Sequence, residues 1–352
     1  MNTVNGSHYA IGFIIAFLLS WLMTGLMRKI AIGIGLTDKP DGGRKIQKQP
    51  VPYLGGIGIM LSFIVTLYLG LFFEHVTRET SLDIFYLLLP AVIMGLVGLW
   101  DDIRNLSPHF RLMIQVIMGL TASLTITFGS TSGSATGNAS FDLLISIIWI
   151  VGITNAINFF DNMDGGAAVA SFVVSLGIAL YSLLTSQPYI AGFAFLITGS
   201  LLGFFIWNRR PARIYMGDAG ALFLGMLLAT VAIRIDPYAE TKFVSLAIPI
   251  LFLALPIIDT SVVVIDRIRR GKSPLEGGKD HLSHRLALKG LRHRYILYIF
   301  ALISATFQIA IFASIYVNKV TEIFFVAVAF IFFAFSLIYF SRLPIENEHK
   351  SK

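Results

Sequence analysis

Along this 352-residue chain the apolar residues come in long, nearly uninterrupted runs, and the polar residues collect in the short stretches between them. Eleven runs are long enough to matter, at 8–27, 53–73, 83–100, 111–129, 141–157, 165–186, 189–207, 218–235, 243–265, 295–317 and 322–340. A hydrocarbon layer about 30 Å thick needs roughly 20 apolar residues per helix, and a helix satisfies its backbone polar groups within the segment itself. The pattern therefore predicts an all-α, polytopic membrane protein with about eleven transmembrane helices. The first run ends on Arg28-Lys29 without a small-residue cleavage site and reads as a retained span. No internal repeat is visible and no polar stretch could fold alone. Residues 1–352 thus read as a single integral membrane domain, with 266–294 as a basic loop within it.

Composition agrees. Hydrophobic residues make up 56% and charged residues 13%, about half the charge of a soluble domain, which is roughly 25%. The net charge of +7 would suggest nucleic acid in a soluble protein, but its placement gives a different answer. With the N-terminus outside, 23 of the 27 Lys and Arg residues fall on the cytoplasmic side, leaving Arg78, Arg234, Lys242 and Lys319 outside. That is the positive-inside pattern, and it predicts a cytoplasmic C-terminus and no nucleic-acid partner. The absence of cysteine excludes a disulfide framework and thiolate metal sites.

Thirteen of the 20 acidic residues also sit on the cytoplasmic side or at inner helix ends. A carboxylate there is costly without a partner, so partners are expected. Asp101 and Asp102 follow directly on an apolar run, with Arg104 and Arg111 after them. Such a pair can hold Mg²⁺ or handle a proton, and it can equally be a solvated helix end. The segment NAINFFDNMDGG gathers Asn155, Asn158, Asp161, Asn162 and Asp164. If helical, it places Asp161 and Asp164 on one face; otherwise it is a polar turn.

Asn208, Arg209, Arg210 and Arg213 form a cationic loop suited to diphosphate, followed by Tyr215, on which a base could stack, and by Asp218 at the start of an apolar run. In the basic loop, His281 and His284 align with each other and lie near Arg285 if helical. Phosphate binding suits that set better than zinc, and Asp259 is expected to pair with one of its bases. Lys39, Arg44, Lys45 and Lys48 serve equally as headgroup anchors or substrate ligands. Acids for a metal alternate with bases for phosphates, which is the recipe for phosphoryl transfer by positioning and charge neutralisation.

In order, the chain carries P-x-P-x-x-GG at 50–56, WDD at 100–102, NFFDNMDGG at 158–166, MGD at 216–218 and His-x-x-His-Arg at 281–285. Over about residues 36–294 it resembles the polyprenyl-phosphate N-acetylhexosamine-1-phosphate transferases, in particular the bacterial undecaprenyl-phosphate N-acetylglucosamine-1-phosphate transferases. The resemblance implies a Mg²⁺-dependent enzyme (Mn²⁺ as a substitute) of the bacterial cytoplasmic membrane, its active site on the cytoplasmic face. It would transfer sugar 1-phosphate from a UDP-N-acetylhexosamine to undecaprenyl phosphate, release UMP and start a lipid-linked cell-envelope glycan such as teichoic acid or O-antigen. A homodimer is compatible with it. It also implies roles: Asp218 as metal ligand, Asp101 as base for the lipid phosphate, and Asp102 assisting or binding metal. Asn158 and Asp161 would lie near the diphosphate and metal, Asp164 near the uracil, and Asn208 and Tyr215 at the nucleoside. His281, His284 and Arg285 would hold phosphate or amino-sugar, and Lys48, Arg111 and Arg213 would bind substrate.

Gln47, Tyr53 and Ser283 depart from residues common in the family, which leaves the sugar open. The related phospho-MurNAc-pentapeptide transferases usually carry a longer His run, so a simple UDP-HexNAc donor is favoured. A transporter of anionic substrates is the rival of another class. It predicts ionisable groups at mid-span, and these runs are nearly free of charge.

Overall fold

The computed structural model describes residues 6–38, 50–73, 77–128, 136–237, 239, 241–274 and 277–345. Lys48, with Lys39, Arg44, Lys45 and Gln47, lies outside the described residues. The chain forms two compact units, Met1–Asp236 and Pro237–Lys352.

The first unit holds α1 (Gly6–Gly33), α2 (Gly55–Phe73), α3 (Arg78–Arg104), α4 (Pro108–Phe128), α5 (Ala139–Phe160), α6 (Gly166–Leu184), α7 (Pro188–Asn208) and α8 (Gly217–Ile233). A short antiparallel pair, β1 (Thr37–Asp38) with β2 (Val51–Pro52), precedes α2. The helix ends follow local chemistry. Asn105 adopts φ 50° at the end of α3 and Pro108 opens α4. The Asn138 side chain accepts the Ser140 and Phe141 N–H groups at the start of α5.

α8 is the axis of this unit, with every residue from Ala219 to Ala232 buried. Small residues let its neighbours approach. A Cβ on Gly56 would stand 2.1 Å from the Gly220 nitrogen, and one on Gly225 would stand 2.8 Å from Thr154 Cα. On α7, Gly199 and Gly203 serve α1 in the same way, each with an imagined Cβ 2.4 Å from a carbonyl of Phe13 or Phe17.

The second unit holds α9 (Lys242–Phe252), α10 (Ala254–Arg269), α11 (Leu282–Leu288), α12 (His293–Ser314) and α13 (Lys319–Ser341). The apolar run expected as one helix over 243–265 is two, bent by 77°. Pro249 and Pro256 remove two backbone donors on either side of Leu253, so the hydrogen-bond ladder cannot run straight through.

Among the described residues nine helices are long and apolar enough to cross a membrane, and α9 with α10 makes a tenth if counted as one span. The run at 218–235 is the 17-residue helix α8, shorter than these.

Candidate active site

One end of the first unit gathers the C-terminal ends of α3, α5 and α7 and the N-terminal ends of α2, α4, α6 and α8. Glycines set how closely they meet. A Cβ on Gly98 would stand 2.2 Å from the Asp218 carbonyl oxygen, so α3 lies directly against the start of α8. The Pro52-to-Gly56 segment docks on the other side. Tyr215 N–H donates to the Pro52 carbonyl at 2.9 Å, Gly55 N–H to the Tyr215 carbonyl at 3.0 Å, and Gly56 N–H to the Met216 carbonyl at 2.9 Å. The ordered sequence blocks at 50–56, 100–102, 158–166 and 216–218 thus meet in space.

Asp218 is held from two helices. Asn158 Nδ2 on α5 donates to its Oδ1 at 2.6 Å, and Arg111 Nη1 on α4 to its Oδ2 at 3.3 Å. The same guanidinium nitrogen ion-pairs with Asp101, whose other oxygen accepts the Leu106 N–H at 2.7 Å. Asp101 is buried and both its oxygens are engaged. Asp102 turns to α8, accepting the Asp218 N–H at 3.0 Å and the Ala219 N–H at 3.1 Å. It closes two of the open donors at the start of that helix.

The segment 161–165 is a turn between α5 and α6, not a helix. The reason is local: the chain reverses through Asp161 and Gly165, with Gly165 at φ 74°. Asp161 and Asp164 are therefore neighbours across a turn. Burial, and then the charges of Asp218, Asp102 and Asp164, push the Asp161 carboxyl up to about 7. Among the described residues the cluster is short of positive charge.

Asn208 ties this turn to the loop beyond α7. Its Oδ1 accepts the Gly165 N–H and its Nδ2 donates to the Ile214 carbonyl, both at 2.9 Å. The buried amide is spent on the scaffold. Asp164 Oδ2 accepts the Ala212 N–H at 3.2 Å. The Arg213 guanidinium lies 5.6 Å from the Trp207 ring centre. The rings of Tyr53 and Tyr215 are 6.2 Å apart and tilted. Burial, then Asp164, Asp38 and Asp161, push the Tyr215 hydroxyl up to about 12.

The basic loop belongs to the second unit. Asp259 accepts from the Leu282 N–H and contacts His281 Nδ1, both at 2.7 Å, so the expected partner of Asp259 is His281. His281 stands at the position just before α11 without a side-chain cap, whereas His284 and Arg285 lie within the helix. Arg285 is fully buried. It pairs with Asp266, donates to the Asp280 carbonyl at 2.7 Å and reaches the Phe340 carbonyl at 3.2 Å.

Sequence reasoning missed Gln115 and gave Asn155 no role. Asn155 Nδ2 donates to Gln115 Oε1 at 2.6 Å. A lone amide inside an apolar run carries little signal, though in a bilayer any such group must find a partner.

Among the described residues no three His, Asp or Glu side chains form a metal cage. Mg²⁺ does not need one, since one or two carboxylates with substrate phosphate and water suffice. The hard oxygens of Asp218 and Asp161, in a cluster with excess negative charge, fit that mode of binding.

The glycosyl transferase family 4 profile matches residues 84–236, which contain Asp101, Asp102, Arg111, Asn158, Asp161 and Asp218. The chain is 34% identical over 309 residues to a probable undecaprenyl-phosphate N-acetylglucosaminyl 1-phosphate transferase of Bacillus subtilis (strain 168), covering 85% of this chain and 83% of that protein. It is 29% identical to a decaprenyl-phosphate N-acetylglucosaminephosphotransferase of Mycobacterium tuberculosis (strain CDC 1551 / Oshkosh), covering 81% and 77%. A phospho-N-acetylmuramoyl-pentapeptide-transferase of Streptococcus pneumoniae (strain Taiwan19F-14) is 32% identical over 53% of this chain and 60% of its own. With the ordered motifs assembled at one end of the helical bundle, this likeness over most of its length shows that the chain belongs to the polyprenyl-phosphate N-acetylhexosamine-1-phosphate transferase family.

Proposed function

We propose that the protein transfers N-acetylglucosamine 1-phosphate from UDP-N-acetylglucosamine to undecaprenyl phosphate, releasing UMP at the cytoplasmic face of a bacterial membrane. The observation that carries this reading is the setting of Asp218. It begins a buried apolar helix, with Asn158 on one oxygen and Arg111 on the other, inside a cluster short of positive charge. The divalent cation that accompanies a diphosphate would supply that charge. Orientation follows the basic-residue bias, with the N-terminus outside, and α8 and the bent pair α9–α10 complete eleven spans.

Mg²⁺, or Mn²⁺ in its place, bound by Asp218 and Asp161 would neutralise the diphosphate and improve UMP as a leaving group. The residues of the chain do the rest. Arg111 offers its guanidinium to a phosphate oxygen, and Asn158 fixes the Asp218 carboxylate. A lipid phosphate oxygen attacks the sugar-linked phosphorus in line. The new P–O bond forms as the bond to the UMP oxygen breaks.

A phosphate monoester has its second pKa near 6, so the nucleophile is already largely deprotonated at neutral pH. Asp101, with both oxygens occupied, then serves to hold Arg111, and Asp102 serves to cap α8. Tyr215 and Asp164 line the nucleoside side, with Asn208 behind them as their brace. His281, pre-oriented by Asp259, and His284 keep the phosphate-holding role that the resemblance implies.

The test is UMP release by purified protein with Mg²⁺, undecaprenyl phosphate and a panel of UDP-sugars, including UDP-MurNAc-pentapeptide. Turnover with UDP-N-acetylglucosamine, abolished in Asp218→Ala, is expected. The reading falls if no UDP-sugar yields UMP, or if Asp218→Ala turns over at the wild-type rate. Turnover with the pentapeptide donor alone would move the chain to the MurNAc branch of the family.

A further inference from the structure

Gln115 is fully buried on α4, one turn beyond Arg111, and Asn155 lies on α5, three residues before Asn158. The two helices therefore face each other across two successive rungs. In the upper rung, Arg111 and Asn158 each take one oxygen of Asp218, at 3.3 and 2.6 Å. In the lower rung, Asn155 Nδ2 donates to Gln115 Oε1 at 2.6 Å and to the Val151 carbonyl at 2.8 Å. One turn further, Gly119 allows contact with Val151, where an added Cβ would stand 3.0 Å from Cγ2.

We propose that Gln115 and Asn155 are positioning residues, an interhelical clamp that fixes the spacing and rotation of α4 against α5. Through that spacing they set where Arg111 and Asn158 meet Asp218. The proposal rests on the reading of Asp218 as the reaction centre. Its physical basis is leverage. The two ligands of Asp218 come from different helices, so a small slide of α4 lengthens one contact without the other. The Arg111 contact, already 3.3 Å, has least to spare. Between helices in hydrocarbon, an amide–amide hydrogen bond has no water to compete with it, and among the described residues Gln115 Nε2 has no partner that would hold the side chain another way.

The test uses Gln115→Met, Asn155→Leu and the double variant, each close to the volume it replaces. In the UMP-release assay, kcat is expected to fall about tenfold in each single variant, with KM for the UDP-sugar within twofold. The double variant should be no worse than the poorer single one, because both remove the same hydrogen bond. A second readout does not depend on activity. The chain has no cysteine, so spin labels on Met113→Cys of α4 and Ile148→Cys of α5, both exposed, report the interhelical distance alone. Gln115→Met should shift or broaden that distance distribution, and it carries the test by itself if Asn155→Leu does not purify.

An unchanged distance distribution, or single-variant losses that multiply in the double variant, would overturn the clamp. If the wild-type protein releases no UMP, the phosphotransfer reading fails and the distance measurement still decides the clamp.

Discussion

The Asp102 carboxylate, at the end of α3, accepts the backbone N–H groups of Asp218 and Ala219 at 3.0 and 3.1 Å, so one helix caps another. A cap normally comes from the residue just before a helix. Here that position is taken by Met216, which gives no side-chain cap. The carboxylate of Asp102 satisfies two donors, opposes the positive end of the helix and holds the backbone that presents the Asp218 side chain. Asp102→Ala should lower stability by about 1–2 kcal/mol, the usual worth of a cap, and lower UMP release far more. Asp102→Asn, with one oxygen left to accept, should fall between. Thermal unfolding in detergent and initial-rate assays measure the two effects separately.

Gly217 sits at φ +71°, and a Cβ there would stand 2.6 Å from Asp102 Oδ2. Two penalties coincide. The left-handed backbone costs any L-residue roughly 1–2 kcal/mol, and the methyl group would push the cap away from its N–H groups. Gly217→Ala should therefore reproduce the activity loss of Asp102→Ala. Combining the two should add little further loss of turnover, which the initial rate of the double variant checks.

Gly98 and Gly152 make a matched pair within helices. A Cβ at Gly98 would meet the Asp218 carbonyl at 2.2 Å, whereas one at Gly152 meets nothing within 4 Å. Gly98→Ala must part α3 from α8 and should abolish turnover. Gly152→Ala should be neutral or stabilise by about 0.5–1 kcal/mol. Equal melting temperatures and equal rates for the two variants would contradict the proposed α3–α8 packing.

The contrast between these glycines explains how much of the molecule is legible from its sequence. Apolar runs located the helices because length and hydropathy are properties of a segment. The break at Leu253 was hidden because residues 243–265 stay apolar across it, although Pro249 and Pro256 were its signal. Asp101, Asp102, Asn158, Asp161 and Asp218 stood out because charged and amide groups at apolar helix ends demand partners, and the structure gathers them.

Which partner each takes was not legible. Asn208 spends its amide on Gly165 and Ile214, and Asp102 turns to backbone N–H groups on another helix. Gln115 and the Gly199–Gly203 pair lay inside apolar runs, where only the neighbouring helix gives them meaning.

Arg285 shows the same limit in the second unit. Its guanidinium pairs with Asp266 and reaches the Asp280 and Phe340 carbonyls, with the Ser341 and Leu343 carbonyls at 3.5 Å. A lysine has a single point charge and cannot span a carboxylate and the end of α13 together. Arg285→Lys should therefore destabilise the protein by up to about 3–5 kcal/mol, the range for breaking a buried charge pair. The loss should show as a lower melting temperature that saturating UDP-sugar does not restore. A wild-type melting curve would sink this assignment.

Asp280 gives the second unit a pH dependence of definite sign. Burial alone would raise its carboxyl, but Arg267, bonded at 2.7 and 2.9 Å, and the charge of His281 outweigh that and bring it down to about 2 from an ordinary 3.8. Arg270 adds a contact at 3.0 Å. A depressed acid stabilises the fold wherever it is ionised in both states. Its contribution, about 2 kcal/mol for a shift of this size, is thus present in full above the unfolded value near 4. It fades as pH falls from about 4 to 2, where the folded state also takes up the proton. Asp280→Asn removes the charge at every pH. The wild type should therefore melt higher than Asp280→Asn at pH 6–7, and the gap should narrow below pH 4. Thermal unfolding of both proteins across that range tests the pairing, and a gap that widens on acidification would reverse the sign and refute it.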